Sequence, residues 1–251
     1  MDLQLKGKSV VVTGGNRGIG RGIALAFAGE GANVSIVGRD TDALARVKGE
    51  IEALGVKANA VVADLFTAEG CSGAIEETAA AFGGVDILVN NAFRPYVFDP
   101  ENRKMFWELD WSPCQTEIDA ALLSTRALCK AVLPDLRRRE QGAIVNIASG
   151  LVARPTIPYH DYTTAKAALI GFSRNLAVET GPLGIRVNCV ALGLVYPTEG
   201  SRDPQESDKD IISAQPPRGR PATPTEVTGR GLYPAHTRRG LMTGQTPAVH
   251  W

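Results

Sequence analysis

Between Ala148 and Lys166 the chain carries a serine, a tyrosine and a lysine in an order suited to moving a proton onto a carbonyl oxygen. Tyr162 and Lys166 are four residues apart, so on a helix they share a face and their polar ends reach one small volume. Ser149 closes the apolar run Ala143 to Ala148, which reads as a strand. A tyrosine with an ordinary pKa of about 10 exchanges protons poorly near neutrality. A cation ~4 Å away, at an effective dielectric of ~20, is worth about 4 kcal/mol or roughly three pKa units, which brings the phenol into working range. Addition of hydride to a carbonyl leaves an alkoxide, and Ser149 and Tyr162 form a pair of hydroxyl donors for that charge. Tyr-x-x-x-Lys alone is often no more than two solvated helix neighbours. Tyr159 is an internal comparison, because Thr163 stands four residues later and carries no charge.

The elements that must position these groups begin at Ser9. Val10, Val11 and Val12 make a β-branched run too short for a helix, which predicts a strand buried on both faces. Gly14, Gly18 and Gly20 follow at a spacing that lets the backbone turn tightly, and Ile23, Ala24, Phe27 and Ala28 then form a helical apolar stripe. The amides at that helix start suit a pyrophosphate. A nucleoside-triphosphate loop is a poor match, since Arg21 and Gly22 follow Gly20 where Lys and Ser or Thr would be needed. A second strand, Ala32 to Val37, ends at Gly38, Arg39 and Asp40. An acidic residue at that strand end would accept hydrogen bonds from the ribose of NAD. Gly38 holds that place, while Arg17 and Arg39 can converge on a 2′-phosphate, so the expected cofactor is NADP(H). Asp40 keeps NAD open as an alternative, or caps the next helix.

Further helices are predicted at about Thr41 to Leu54, Ala68 to Phe82, Gln115 to Leu133, Tyr159 to Thr180 and Thr225 to His236. Strands are predicted at Ala58 to Ala63, Val85 to Val89, Ala143 to Ala148, Arg186 to Val190 and Thr243 to Val249. Strand and helix alternate throughout, which implies an α/β, Rossmann-like, doubly wound parallel sheet of about seven strands with ligands beyond its carboxyl edge. Arg39, Asp64, Asn91 and Ser149 each follow a predicted strand, where that rule puts functional groups.

At 251 residues, with no linker, the chain is expected to be one catalytic domain over 1–251 with a proline-punctuated substrate lid at about 193–225. Lys and Arg balance Asp and Glu at 27 each, which leaves no nucleic-acid footprint, and no apolar run is long enough for a membrane span. Cys71, Cys114, Cys129 and Cys189 are scattered, which points to reduced thiols and a cytoplasmic setting. His160, His236 and His250 have no metal-ligand spacing, so no metal is expected.

Taken together, TGGNRGIG (Thr13 to Gly20), VADL (Val62 to Leu65), NNA (Asn90 to Ala92), IVNIAS (Ile144 to Ser149), YTTAK (Tyr162 to Lys166), GIRVN (Gly184 to Asn188) and MTGQT (Met242 to Thr246) resemble the single-domain short-chain dehydrogenase/reductases, in that family's order. The likeness leans toward the 3-oxoacyl-carrier-protein reductase branch. It implies Tyr162 as proton donor or acceptor, Ser149 orienting the carbonyl, and Lys166 gripping the nicotinamide ribose while lowering the Tyr162 pKa. It also implies a cofactor held by Gly14, Asn16, Arg17, Gly18, Ile19 and Gly20, by Asp64 and Leu65 at the adenine, by Asn91 at its ribose and by Val195 at the carboxamide, and a homodimer or homotetramer joined through the helices near Ala121 to Leu133 and Tyr162 to Thr180.

Several positions depart from the family pattern. Ala121 stands where a relay Asn is usual, so a relay would need another carbonyl or hydroxyl. Phe93 replaces a Gly and Leu192 a Pro, Pro197 displaces the carboxamide-binding Thr to Thr198, and PAVHW replaces the usual tail. The segment Phe93 to Trp111 is about half a dozen residues longer than the family norm; Phe93, Tyr96, Phe98, Phe106, Trp107 and Trp111 make it either an aromatic substrate wall or ordinary packing. Arg137, Arg138 and Arg139 either attract an acidic carrier or answer a helix dipole. The expected activity is NADPH-dependent reduction of a small-molecule ketone. The alternatives are an NAD-dependent alcohol dehydrogenase and a cofactor-binding regulator with little turnover.

Overall fold

Val10, Val11 and Val12 are each fully buried in β1 (Ser9–Thr13), the strand from which the sheet grows in both directions. In this computed structural model, residues 3–99, 103–196, 221–231 and 242–249 are described. The other strands are β2 (Asn33–Gly38), β3 (Ala58–Val62), β4 (Ile87–Asn90), β5 (Gly142–Ser149), β6 (Ile185–Leu192) and β7 (Ala248–Val249). Their order is β3-β2-β1-β4-β5-β6-β7, and every pairing is parallel. Chain direction across the sheet reverses between β1 and β4, so a crevice opens at their carboxyl ends.

Helices cover both faces. On one face Ile23, Ala24, Phe27 and Ala28 of α1 (Gly18–Gly29) and Leu44, Val47 and Ile51 of α2 (Thr41–Glu52) share a core with Val10, Val12, Val34 and Ile36. Val227 of α6 (Pro224–Gly231) joins the same core. On the other face α3 (Ala68–Phe82), α4 (Trp111–Arg138) and α5 (His160–Thr180) pack on Val11, Leu88, Ile144 and Val187. No helix among the described residues is long and apolar enough to cross a membrane.

The element boundaries differ from the sequence expectation mainly at prolines. α4 begins at Trp111 rather than Gln115, because Pro113 lies in its first turn, where no amide is missed. It also runs through Pro134 to Arg138, held by fully buried Leu136 and by the Asp135 carboxylate, which accepts the Val85 amide at 3.0 Å. Arg138 pairs with that same Asp135, and Arg139 donates to Asp86 at 3.1 Å and to the Gly83 carbonyl at 2.9 Å, so two of the three arginines close the end of the fold. β7 shrinks to two residues because Pro247 has no amide to donate, although the amides of Cys189, Ala191 and Gly193 still bond the carbonyls of Gln245, Pro247 and Val249. Most of the expected lid, including Thr198, and the end of the last expected helix, including His236, lie outside the described residues. The four cysteines are free thiols.

Candidate active site

The glycine turn explains why a cleft exists at the switch between β1 and β4. Gly14 and Gly18 hold φ of 63° and 53°, in the left-handed region. A Cβ on Gly20 would lie 2.1 Å from the Gly14 carbonyl oxygen, so the turn closes only without a side chain there. Asn91 then locks the turn to β4, its Nδ2 donating to the Thr13 carbonyl at 2.9 Å while its amide donates to Thr13 Oγ1 at 2.9 Å. The first turn of α1 has no side-chain cap and no acidic residue, which leaves its amides for an anion.

The cleft has a volume of about 370 Å³. Gly14, Asn16, Arg17, Gly18, Ile19 and Gly20 form one wall, and Arg39, Asp64, Leu65 and Asn91 line the rest, so ten of the expected cofactor residues meet there. Arg17 and Arg39 are both exposed. Asp40 also borders the cleft, but its carboxylate accepts the Ala43 amide at 3.0 Å and caps α2. This donor set fits a dinucleotide phosphate: backbone amides at a helix start, a cradle that a Cβ would fill, and two exposed arginines, Arg17 and Arg39, among the lining residues. Val195 is placed differently. It is 8% exposed and joins the core with Leu192, Val227 and Val249, and its backbone bridges Ala222.

The catalytic candidates lie beyond the ends of β4 and β5. Ser149 ends β5 and is buried, with its Oγ accepting the Leu151 amide at 3.2 Å. Tyr162 and Lys166 stand on the first turns of α5, and the Ser149 hydroxyl is near enough to the Tyr162 phenol to pull its pKa down. Lys166 is 6% exposed and donates from Nζ to the Ile147 carbonyl at 3.0 Å. A buried chain that the sequence reading missed anchors α5 behind them. Asn90 Nδ2 donates to Asn146 Oδ1 at 2.8 Å, Asn146 Nδ2 to Ser173 Oγ at 2.7 Å, and Ser173 Oγ to the Leu169 carbonyl at 2.7 Å.

Charge behaves differently here from the simple Coulomb expectation. Burial pushes the Tyr162 phenol up; the nearby Ser149 hydroxyl pulls it partly back, and the Glu117 carboxylate adds to the rise. Burial lowers Lys166 to about 8, against smaller raising influences from Cys189 and Glu117. Lys166 Nζ sits 5.8 Å from the Tyr162 ring centroid but only 4.1 Å from that of Phe93, a cation–π contact. Glu117, also unanticipated, is a buried carboxyl on α4 whose pKa burial raises.

The long aromatic segment divides in two. Phe93, Tyr96 and Phe98 pack on Tyr162 with ring centroids 5.8, 4.9 and 5.1 Å away, and Tyr96 and Phe98 also touch Tyr159. The Tyr96 hydroxyl donates to Asp161 Oδ1 at 2.7 Å, the same oxygen that accepts the Tyr162 amide. Phe106, Trp107 and Trp111 instead face solvent, each at least 66% exposed.

A parallel sheet with this strand order, a glycine-lined crevice and a Ser-Tyr-Lys group at its carboxyl edge define a nicotinamide-dependent oxidoreductase acting on a carbonyl/alcohol pair. The short chain dehydrogenase family model matches residues 8–209, and the chain belongs to that family. A 3-oxoacyl-[acyl-carrier-protein] reductase of Chlamydia muridarum is 34% identical over 250 residues, covering 99% of this chain and 98% of that protein. Among solved structures, L-sorbose reductase from Gluconobacter frateurii, complexed with NADPH and L-sorbose, superposes with a TM-score of 0.88 at 30% identity, covering 99% of this chain and 97% of that one. A 3-oxoacyl (acyl-carrier-protein) reductase from Agrobacterium tumefaciens C58 with NADP bound gives 0.87 at 29% identity, covering 99% and 95%.

Proposed function

We propose that the protein reduces a ketone to a secondary alcohol with NADPH. The observation that carries this reading is the placement of Ser149 at the end of β5 and of Tyr162 and Lys166 four residues apart on α5, with Lys166 Nζ 5.8 Å from the Tyr162 ring, beside a glycine-lined cleft. Ser149 orients the carbonyl, Tyr162 donates the proton, and Lys166 holds the ribose and steadies the charge left on the phenol. When bound, the reduced nicotinamide supplies the hydride. Gly14, Asn16, Arg17, Gly18, Ile19, Gly20, Asp64, Leu65 and Asn91 hold the adenosine and phosphates, and Val195 is the candidate for the carboxamide.

NADPH is favoured over NADH because Gly38 ends β2, Asp40 is occupied as a cap, and Arg17 and Arg39 offer cations to a 2′-phosphate. Two structural neighbours carrying NADPH or NADP support the same choice. The similar reductases support a 3-oxoacyl or hydroxylated ketone as substrate. Exposed Leu123 on α4 and Val178 on α5 support self-association through those helices.

The test is a panel of 3-oxoacyl thioesters, 3-oxo esters, cyclic ketones and ketoses, assayed with NADPH and NADH. NADPH oxidation with at least one member is expected, and Tyr162→Phe should abolish it while NADPH still binds. Undiminished turnover in Tyr162→Phe would refute the assigned acid.

A further inference from the structure

The loop after β4 brings two rings against Tyr162. Tyr96 meets the Tyr162 ring at 4.9 Å, tilted by 42°, and Phe98 meets it edge-on at 5.1 Å. Both also pack edge-on against Tyr159, which is 7% exposed and backs them at the start of α5. The Tyr96 hydroxyl is already engaged, since it donates to Asp161 Oδ1 at 2.7 Å, and that oxygen also accepts the Tyr162 amide at 2.8 Å. This latch fixes the loop beside the phenol and leaves Tyr96 only its ring to offer a ligand. Phe98 touches Tyr162 and yet is 51% exposed. Open apolar surface beside a polar group in reach of a ligand is what binding sites are built from.

We propose that Tyr96 and Phe98 select the substrate, and that the preferred ketone carries a flat apolar group, such as a phenyl ring, within two carbons of its carbonyl. This names a substrate class for the reductase reading above and rests on it. A carbonyl oxygen that takes the Tyr162 proton lies ~3 Å from the phenol oxygen. A group two carbons further along then reaches rings whose centroids are 4.9 and 5.1 Å from that of Tyr162. A flat ring fits there best, because aromatic pairs favour the tilted and edge-on contacts that these side chains already make with one another. A polyhydroxylated chain would set its hydroxyls against ring carbons, with the Tyr96 hydroxyl held by Asp161, so ketoses are the poorest members of the panel. The outer half of the loop stands apart from this wall: Phe106 meets His160 at 5.4 Å, and Trp107 is 75% exposed.

The experiment uses the full chain, NADPH and methyl ketones whose carbonyls are alike: 4-phenylbutan-2-one, butan-2-one and 4-hydroxybutan-2-one. In wild type kcat/KM for the phenyl ketone should exceed that for butan-2-one at least about tenfold, the worth of burying a phenyl group, and the hydroxy ketone should do no better than butan-2-one. In Phe98→Ala and in Tyr96→Ala the phenyl-to-methyl ratio should fall about fivefold or more, whatever the rates themselves do, and Trp107→Ala should keep it. Phe98 belongs to none of the buried cores, so its loss leaves the fold standing. Binding of the alcohols to the protein with NADP, followed by NMR titration, gives a readout without turnover. There 4-phenylbutan-2-ol should bind at least about tenfold tighter than butan-2-ol in wild type and lose most of that advantage in Phe98→Ala. Equal handling of the phenyl and methyl ketones overturns the proposal, as does a ratio unmoved in either alanine variant or lost in Trp107→Ala. The two readings fail separately. Alcohols bound with the phenyl preference but no ketone reduced would sink the reductase reading, whereas ketones reduced without preference would sink the wall alone.

Discussion

Replacing Lys166 by methionine should make the protein more stable near neutrality while abolishing turnover. The lysine titrates at about 8 in the fold against 10.5 ordinarily. At ~1.4 kcal/mol per pKa unit, that difference amounts to about 3 kcal/mol disfavouring the charged form. The sign follows from linkage: a depressed folded pKa contributes stability present above the unfolded value, and that contribution is lost as pH falls through the folded one. Wild type therefore carries the full penalty below pH 8 and none above 10.5. Methionine follows the path of the side chain to Cε, one atom short of Nζ, and loses the 3.0 Å bond to the Ile147 carbonyl, worth about 1 kcal/mol. The net expectation is a gain of about 2 kcal/mol at pH 7, or roughly 4–8 °C in Tm for a chain of this size. Lys166 is the last and smallest influence on Glu117, so that carboxyl changes little. The assay is urea unfolding without added nucleotide at pH 6, 7, 8 and 10, read as variant minus wild type so that other titrations cancel. A variant less stable than wild type at pH 7, or a gap that does not close toward pH 10, would refute the view that burial dominates this lysine.

Gly20→Ala should lower Tm and abolish NADPH binding measured by fluorescence, because the new Cβ meets the Gly14 carbonyl oxygen at 2.1 Å, a backbone atom that cannot swing away. An alanine inside a helix otherwise gains about 1 kcal/mol, so a stabilised variant would contradict the close-approach argument. Arg39→Ala should weaken NADPH about tenfold or more while NADH changes by about twofold or less; equal losses by titration calorimetry would remove the phosphate contact. Asp40→Ala should cost about 1 kcal/mol of stability through the lost cap on α2 and leave the NADPH-to-NADH ratio unchanged. A selective loss of NADH affinity would instead make Asp40 a ribose ligand.

How much of this could be read from residue order depends on whether the backbone or the environment sets the outcome. The β1–α1 turn was legible because only glycines permit it, and Arg39, Asp64 and Asn91 because strand ends in a parallel sheet converge on one edge. The limits of α4 and β7 were not, since prolines 113, 134 and 247 punctuate the sequence where tertiary contacts carry the chain onward. Glu117 looked like any solvated helix charge. Its register with Ala121, Ser124 and Leu128, four buried residues at helical spacing, was the available signal. Asn146 sat inside an apolar strand run and Asn90 closed another, and that placement marked them as partners in a buried network. Burial, which pushes the Tyr162 phenol up, was not legible, because distance to a cation is visible in a sequence and desolvation is not.

Phe93 joins these observations. It lines the glycine-turn cleft, lies 4.1 Å from the Lys166 ammonium and meets the Tyr162 ring edge-on at 5.8 Å, so one side chain touches the cleft, the phenol and the ammonium. With Tyr96 and Phe98 it excludes water from the phenol and the ammonium together. That exclusion pushes the phenol up and the ammonium down, and it strengthens every remaining charge interaction at the same point. The hydrogen bond from Tyr96 to Asp161, whose carboxylate also takes the Tyr162 amide, fastens this aromatic cover to the first turn of α5. The loop and Tyr162 therefore form one packed unit, so any substrate that reaches Tyr162 must do so against those rings, which set both its access and the proton affinities it meets.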